Sequence, residues 1–89
     1  MLSISRADDG GKALVLLVEG DRGSVEAKLD RDFLDDAVGD GSSEGERKAY
    51  VGKHSGELES AINATAFGGI LNTRFKGIEI LKIAKSEAK

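Results

Sequence analysis

Leu2 and Ile4 alternate with Ser3 and Ser5, the two-residue period of a strand with one buried face. Asp8-Asp9-Gly10-Gly11 follows, and Asp and Gly accept the positive φ of a tight turn. Ala13 to Val18 is then apolar at every position. Both alternating faces are apolar, so this segment reads as a central strand. Gly20-Asp21-Arg22-Gly23 marks a second turn, after which Val25, Ala27 and Leu29 alternate with Glu26 and Lys28. Turns this short leave no room for crossover helices, so residues 1–29 predict a three-stranded antiparallel meander.

The period then changes. Phe33, Leu34, Ala37 and Val38 share one helical face, and Asp30 stands where an N-cap belongs. A short helix is predicted over 30–38, with Gly39 to end it in the left-handed conformation. Residues 39–45 are Asp, Gly, Ser and Glu and read as a flexible linker. Ser43-Glu44-Gly45-Glu46 fits a capping box. Beyond it Tyr50, His54, Leu58, Ile62 and Ala66 recur every four residues, with Val51, Ala61 and Thr65 widening the stripe. This predicts a long amphipathic helix over 44–67, stopped by Gly68-Gly69. Gly52 and Gly56 weaken it by roughly 1 kcal/mol each relative to Ala. They either admit another backbone closely or mark a kink or break. The pattern favours one helix, soft in its first half. Ile78, Ile80, Leu81 and Ile83 are rich in β-branched residues and predict a closing strand over 77–84, although the Lys/Ala-rich end also suits a helix. Residues 85–89 form a basic tail.

The expected fold is therefore α+β: a small antiparallel sheet in the order β-β-β-α-α-β, with one long helix packed on one face. The expected core is Leu14, Leu16, Val18, Val25, Ala27, Leu29, Phe33, Leu34, Tyr50, Leu58, Ile62, Ile78 and Ile80. With 89 residues there is room for one domain.

Composition narrows the chemistry. The chain has no Cys, which excludes disulfide frameworks, thiolate metal sites and cysteine nucleophiles and fits a reducing cytoplasm. No apolar run reaches the ~18–20 residues of a membrane span. Met1-Leu2-Ser3-Ile4 lacks the basic and apolar regions of a secretory signal. The net charge of −3 disfavours nonspecific nucleic-acid binding. Yet residues 1–73 hold 8 basic against 14 acidic side chains, whereas Arg74, Lys76, Lys82, Lys85 and Lys89 outnumber Glu79 and Glu87. That basic end reads as a solvated counterweight, or as a contact for an anionic partner through Arg74, Lys76, Lys82 and Lys85.

Several local features carry a family resemblance. Val25-Glu26-Ala27-Lys28-Leu29 runs directly into Asp30-Arg31-Asp32-Phe33-Leu34; Ala49-Tyr50 has Lys53 and His54 nearby; Ala61 to Gly68 is rich in small residues; and Ile78-Glu79-Ile80-Leu81 closes the chain. In these the chain resembles a family of small bacterial proteins known only as a domain of unknown function. The resemblance implies an α+β fold and a bacterial origin. It implies no activity and no catalytic residue.

Candidate sites are few. Asp36 to Arg47 has Gly41 at the sixth position of an EF-hand-like loop, but Val38 and Arg47 stand where oxygen ligands are required. Gly39 to Gly45 lacks the spacing of a phosphate loop and carries acids that repel phosphate. His54, with Glu57 one turn on, offers two ligands where a stable metal site needs more; a helix–sheet contact for His54 is the simpler reading. Ser55 and His54 are sequence neighbours and point about 100° apart on a helix, which argues against a triad. Asp35-Asp36 shows no sign of an apolar pocket to raise a carboxyl pKa. Arg74-Phe75-Lys76 places one ring between two cations, a slender basis for stacking on nucleic acid.

The doubly apolar strand has the most functional weight. One helical layer covers one face of a sheet, which leaves Ala13, Val15 and Leu17 as an open apolar face, and such a face marks an interaction surface. The expectation is a cytoplasmic, non-enzymatic protein-interaction module, a homodimer joined through Ala13, Val15 and Leu17 or through a sheet edge. A different protein partner fits the same surface. No cofactor, metal or membrane contact is expected. The alternatives are a nucleic-acid-binding accessory protein using the basic C-terminal segment, and a weak metal binder or small enzyme around His54.

Overall fold

The computed structural model describes residues 1–21, 23–68 and 78–85. The alternating segments form β1 (Leu2–Asp8), β2 (Ala13–Gly20) and β3 (Gly23–Leu29). The closing segment forms β4 (Glu79–Lys85). Together they make one antiparallel sheet in the order β1-β2-β3-β4. The doubly apolar strand β2 lies inside the sheet, between β1 and β3. A single 3-10 turn at Asp9–Gly11 joins β1 to β2, with positive φ at Asp9, Gly10 and Gly11.

The helices are α1 (Arg31–Ala37), α2 (Glu44–Lys53) and α3 (Ser55–Phe67). Asp30 caps α1, its Oδ1 accepting the Phe33 N–H at 2.8 Å. The capping box of α2 is complete: Ser43 Oγ accepts from the Glu46 N–H and Glu46 Oε1 accepts from the Ser43 N–H, each at 3.1 Å. The helix α3 touches all four strands, so it is the lid of the core.

That core lies between the helices and the inner sheet face. Leu14, Leu16, Val18, Val25, Ala27 and Leu29 rise from β2 and β3 to meet Leu34, Val51, Leu58, Ala61 and Ile62, all fully or almost fully buried. Phe33, Tyr50, Ile78 and Ile80, expected in the core, pack half-buried at its border. Full burial of a Leu or Ile here is worth about 1.5–3 kcal/mol.

Two expectations need correction. The single helix over 44–67 is two helices that meet at His54, whose backbone turns out of the helical region at φ −110° and ψ 23°. The break lies between Gly52 and Gly56, and a Cβ at either glycine would meet open space. Close approach of another backbone therefore does not explain them, and low helix propensity on both sides of the junction does. Hydrogen bonding loses little, because the His54 N–H still reaches the Tyr50 carbonyl at 3.0 Å and the Leu58 N–H reaches the His54 carbonyl at 2.9 Å.

The second correction concerns the linker over 39–45, which is tied down. Ser42 is buried, and its carbonyl accepts from Lys12 Nζ at 3.1 Å and from Arg47 Nε at 3.2 Å. Position 77 of the closing strand, residues 86–89 of the basic tail, and Arg22 and Gly69 of the turn signals lie outside the described residues.

Candidate functional site

The outer face of the sheet carries Ala13, Val15 and Leu17 from β2, flanked in register by β1 and β3. Val15 stands between Arg6 and Lys28, Leu17 between Ser3 and Glu26, and Asp8 beside Ala13. Arg6 reaches across β2, its Nη1 donating to Glu26 Oε1 at 2.8 Å, while Arg6 Nε lies 3.6 Å from Asp8. Long charged side chains cover apolar surface with their stems and keep their heads in water. Val15, between Arg6 and Lys28, is 0% exposed, and Ala13, beside Asp9, Lys28 and Asp30, is 1% exposed. The open apolar face expected at Ala13, Val15 and Leu17 is thus largely closed by the chain itself, and only Leu17 stays half-exposed. Composition along one strand shows which faces are apolar, but the cover comes from its neighbours.

Leu17 forms the floor of a shallow dip of about 200 Å³ with Ser24, Glu26, Lys82 and Ala84. Of the four basic residues expected to meet an anionic partner, Arg74 and Lys76 lie outside the described residues. Lys85 ends β4. Lys82 sits opposite Glu26, so a carboxylate already neighbours it.

The large exposed apolar side chains on the described sheet are on β4: Leu81 at 37% and Ile83 at 39% exposed. Ile83 is paired with Val25, which is fully buried, so cover falls off from β3 to this end of β4, although α3 still touches β4. A register shift falls between Ile80, paired with Ala27, and Lys82, paired with Glu26. Leu81 is the extra residue of that bulge. Two apolar residues in succession, Ile80-Leu81, interrupt the alternation at the bulge. Among the described residues no strand lies beyond β4.

A polar cluster that sequence reasoning missed is centred on Arg47. Arg47 is fully buried. Its Nη2 pairs with Asp35 Oδ1 at 2.6 Å, its Nη1 donates to the Lys12 carbonyl at 2.8 Å, and its Nε donates to the Ser42 carbonyl. In the loop tested for calcium, Arg47 stands at the twelfth position and supplies the positive charge itself. The guanidinium gathers carboxylate and carbonyl oxygens from α1, the loop and the start of β2. Among the described residues no three His, Asp or Glu side chains come together as a metal site.

His54 does not enter the core. It lies at the helix junction, its ring centroid 4.5 Å from that of Tyr50 and its Nδ1 3.2 Å from Glu57 Oε1. A broader cleft of about 560 Å³ separates α3 from the β2–β3 turn, lined by Glu19, Asp21, Glu59, Ser60 and Asn63 among others. The Met1 ammonium closes one side of it, 3.0 Å from Glu59 Oε1 and 2.6 Å from the Glu19 carbonyl.

Among the described residues no helix is long and apolar enough to cross a membrane. In comparisons with known proteins, no family model, curated protein or solved structure matches the chain. The family resemblance read from local sequence therefore adds nothing to the site.

Proposed function

We propose that the chain is a non-enzymatic protein-interaction module that self-associates, and that β4 is its contact strand. The observation that carries this is Leu81 and Ile83, two large apolar side chains more than a third exposed on a strand with no described neighbour beyond it. An edge strand offers unpaired backbone donors and acceptors, and proteins that do not use such an edge blunt it with charges and bulges. Here both devices are present, as Lys82 and the bulge at Leu81, alongside exposed apolar residues. That combination discourages pairing with arbitrary strands while leaving side chains for a matched one. Elsewhere, the polar pairs Arg47 with Asp35 and Ser43 with Glu46 serve the fold as a tie and a cap.

The buried area available to one strand and two side chains fits a weak, concentration-dependent association. Sedimentation equilibrium tests it. The wild-type chain should move from monomer toward dimer over micromolar to millimolar concentrations, and Ile83→Lys should remain monomeric with an unchanged circular dichroism spectrum. A wild-type chain that stays monomeric throughout that range ends this reading.

A further inference from the structure

We infer that β1 is an exchangeable strand: it leaves its own sheet about a hinge at Asp9-Gly10 and takes the same place in a second copy, giving a strand-swapped dimer. The hinge is strained. Among the described residues Asp9, at φ +56°, is the one non-glycine in the left-handed region, and Gly10 and Gly11 follow at +65° and +91°. A residue with a Cβ is disfavoured there, whereas an extended hinge returns Asp9 to negative φ and Gly10 accepts either conformation. The two sides of the turn are held unequally. On the β2 side Gly11 is buried against the Glu44 side chain. The Lys12 carbonyl accepts from Arg47 Nη1 at 2.8 Å, and Lys12 Nζ donates to the Ser42 carbonyl at 3.1 Å. On the β1 side Asp9 and Gly10 are exposed, and the Asp8 side chain adds no cap. Opening there breaks the 3.2 Å bond from the Lys12 N–H to the Asp9 carbonyl and leaves the anchored side in place.

The strand itself is lightly held. None of its seven residues is buried, and among the described residues it pairs with β2 alone. A register shift between Ile4 and Arg6 leaves Ser5 as an extra residue that interrupts the ladder. By contrast, β2 needs its cover. Ala13 to Val18 is apolar throughout, and without β1 it would present an edge lacking the charges and prolines that blunt one. The strand that fits this edge is β1. Leu2 opposes Val18, Ile4 opposes Leu16, and Arg6 reaches across β2 to Glu26. The β1 of a second copy makes the same contacts in the same register. The swapped dimer therefore differs from two monomers chiefly at the hinge, where strain is lost, and concentration sets the balance.

Exchange requires opening, so the swapped dimer is prepared by refolding from urea at millimolar protein. Unlike the β4 contact proposed above, it should persist on dilution, read by size-exclusion chromatography, and Ile83→Lys should leave its yield unchanged. Asp9→Gly, which relieves the closed turn, should lower the yield about tenfold, and Asp9→Val, which strains it further, should raise it. The chain contains no cysteine, so Ser3→Cys with Leu17→Cys, directly opposed in β1 and β2, reports where β1 sits. The disulfide forms within one chain if β1 stays in its own sheet and between chains if it is exchanged. The isolated dimer, once oxidised, should run as a covalent dimer on a nonreducing gel. Monomer bands, or no dimer that survives dilution, would overturn the exchange and leave self-association through β4 standing. Equal yields from wild type, Asp9→Gly and Asp9→Val would remove hinge strain as the cause and overturn the proposal.

Discussion

Arg47 and Asp35 form a charged pair at 2.6 Å, and its two members differ in burial: the guanidinium is out of water while the Asp35 side chain keeps 22% of its exposure. Their energies differ accordingly. Arg47 ties three segments through the Lys12, Ser42 and Asp35 oxygens, and Asp35 is the counter-charge that makes its burial tolerable. Removing one member of a buried pair strands the other.

Asp35→Ala should therefore destabilise the fold by about 3 kcal/mol, since it leaves a buried guanidinium with neutral carbonyls alone. Arg47→Met should cost less than Asp35→Ala, because the freed carboxylate already touches water and the new side chain is apolar. Urea unfolding followed by circular dichroism measures both. Equal losses would mean that Arg47 acts through its hydrogen bonds rather than through this pairing.

The break at His54 makes a prediction of opposite sign. Gly52 and Gly56 are exposed helical positions with open space for a Cβ. Gly52→Ala and Gly56→Ala should each stabilise by about 0.5–1 kcal/mol, readable as a rise in the urea midpoint. A loss at either site would show that the junction needs a glycine.

Gly11 is the contrasting glycine. Its φ is +91°, it is buried, and a Cβ there would run into the Glu44 side chain. Gly11→Ala should lower stability by about 1–3 kcal/mol through backbone strain, and pairing it with Glu44→Ala should recover only the steric part. Thermal unfolding of the two variants separates these contributions.

Glu46 supplies the pH dependence. The Ser43 backbone N–H, first, and the Ser43 hydroxyl, second, hold its carboxyl below the ordinary value of 4.5. A carboxyl with a depressed folded-state pKa stabilises above its unfolded value, and that contribution fades as pH falls through the folded value. Glu46→Gln keeps an acceptor for the cap and removes the titration. Its stability should fall less steeply than wild type below pH roughly 4.5, as acid titration of unfolding reports. Parallel acid limbs for the two chains would contradict the cap assignment.

Much of this was legible in the sequence where structure is local or periodic. The apolar run from Ala13 to Val18 announced an interior strand, and Ser43 with Glu46 announced a helix start. What escaped depends on neighbours distant in sequence. Val15 is covered by Arg6 and Glu26, which join across it from β1 and β3, and no single segment reveals that. The burial of Arg47 was not legible, because the carbonyls that surround it come from Lys12 and Ser42. That no described strand lies beyond Leu81 and Ile83 depends on strand order, which periodicity does not encode.

Amide hydrogen exchange at two protein concentrations bears most directly on the claim that β4 is the working edge. Protection of alternate amides within 79–85 should rise with concentration, while the outer amides of β1, the opposite edge, should exchange at the same rate throughout. Concentration-independent exchange along β4, or protection that grows at β1 instead, would contradict it.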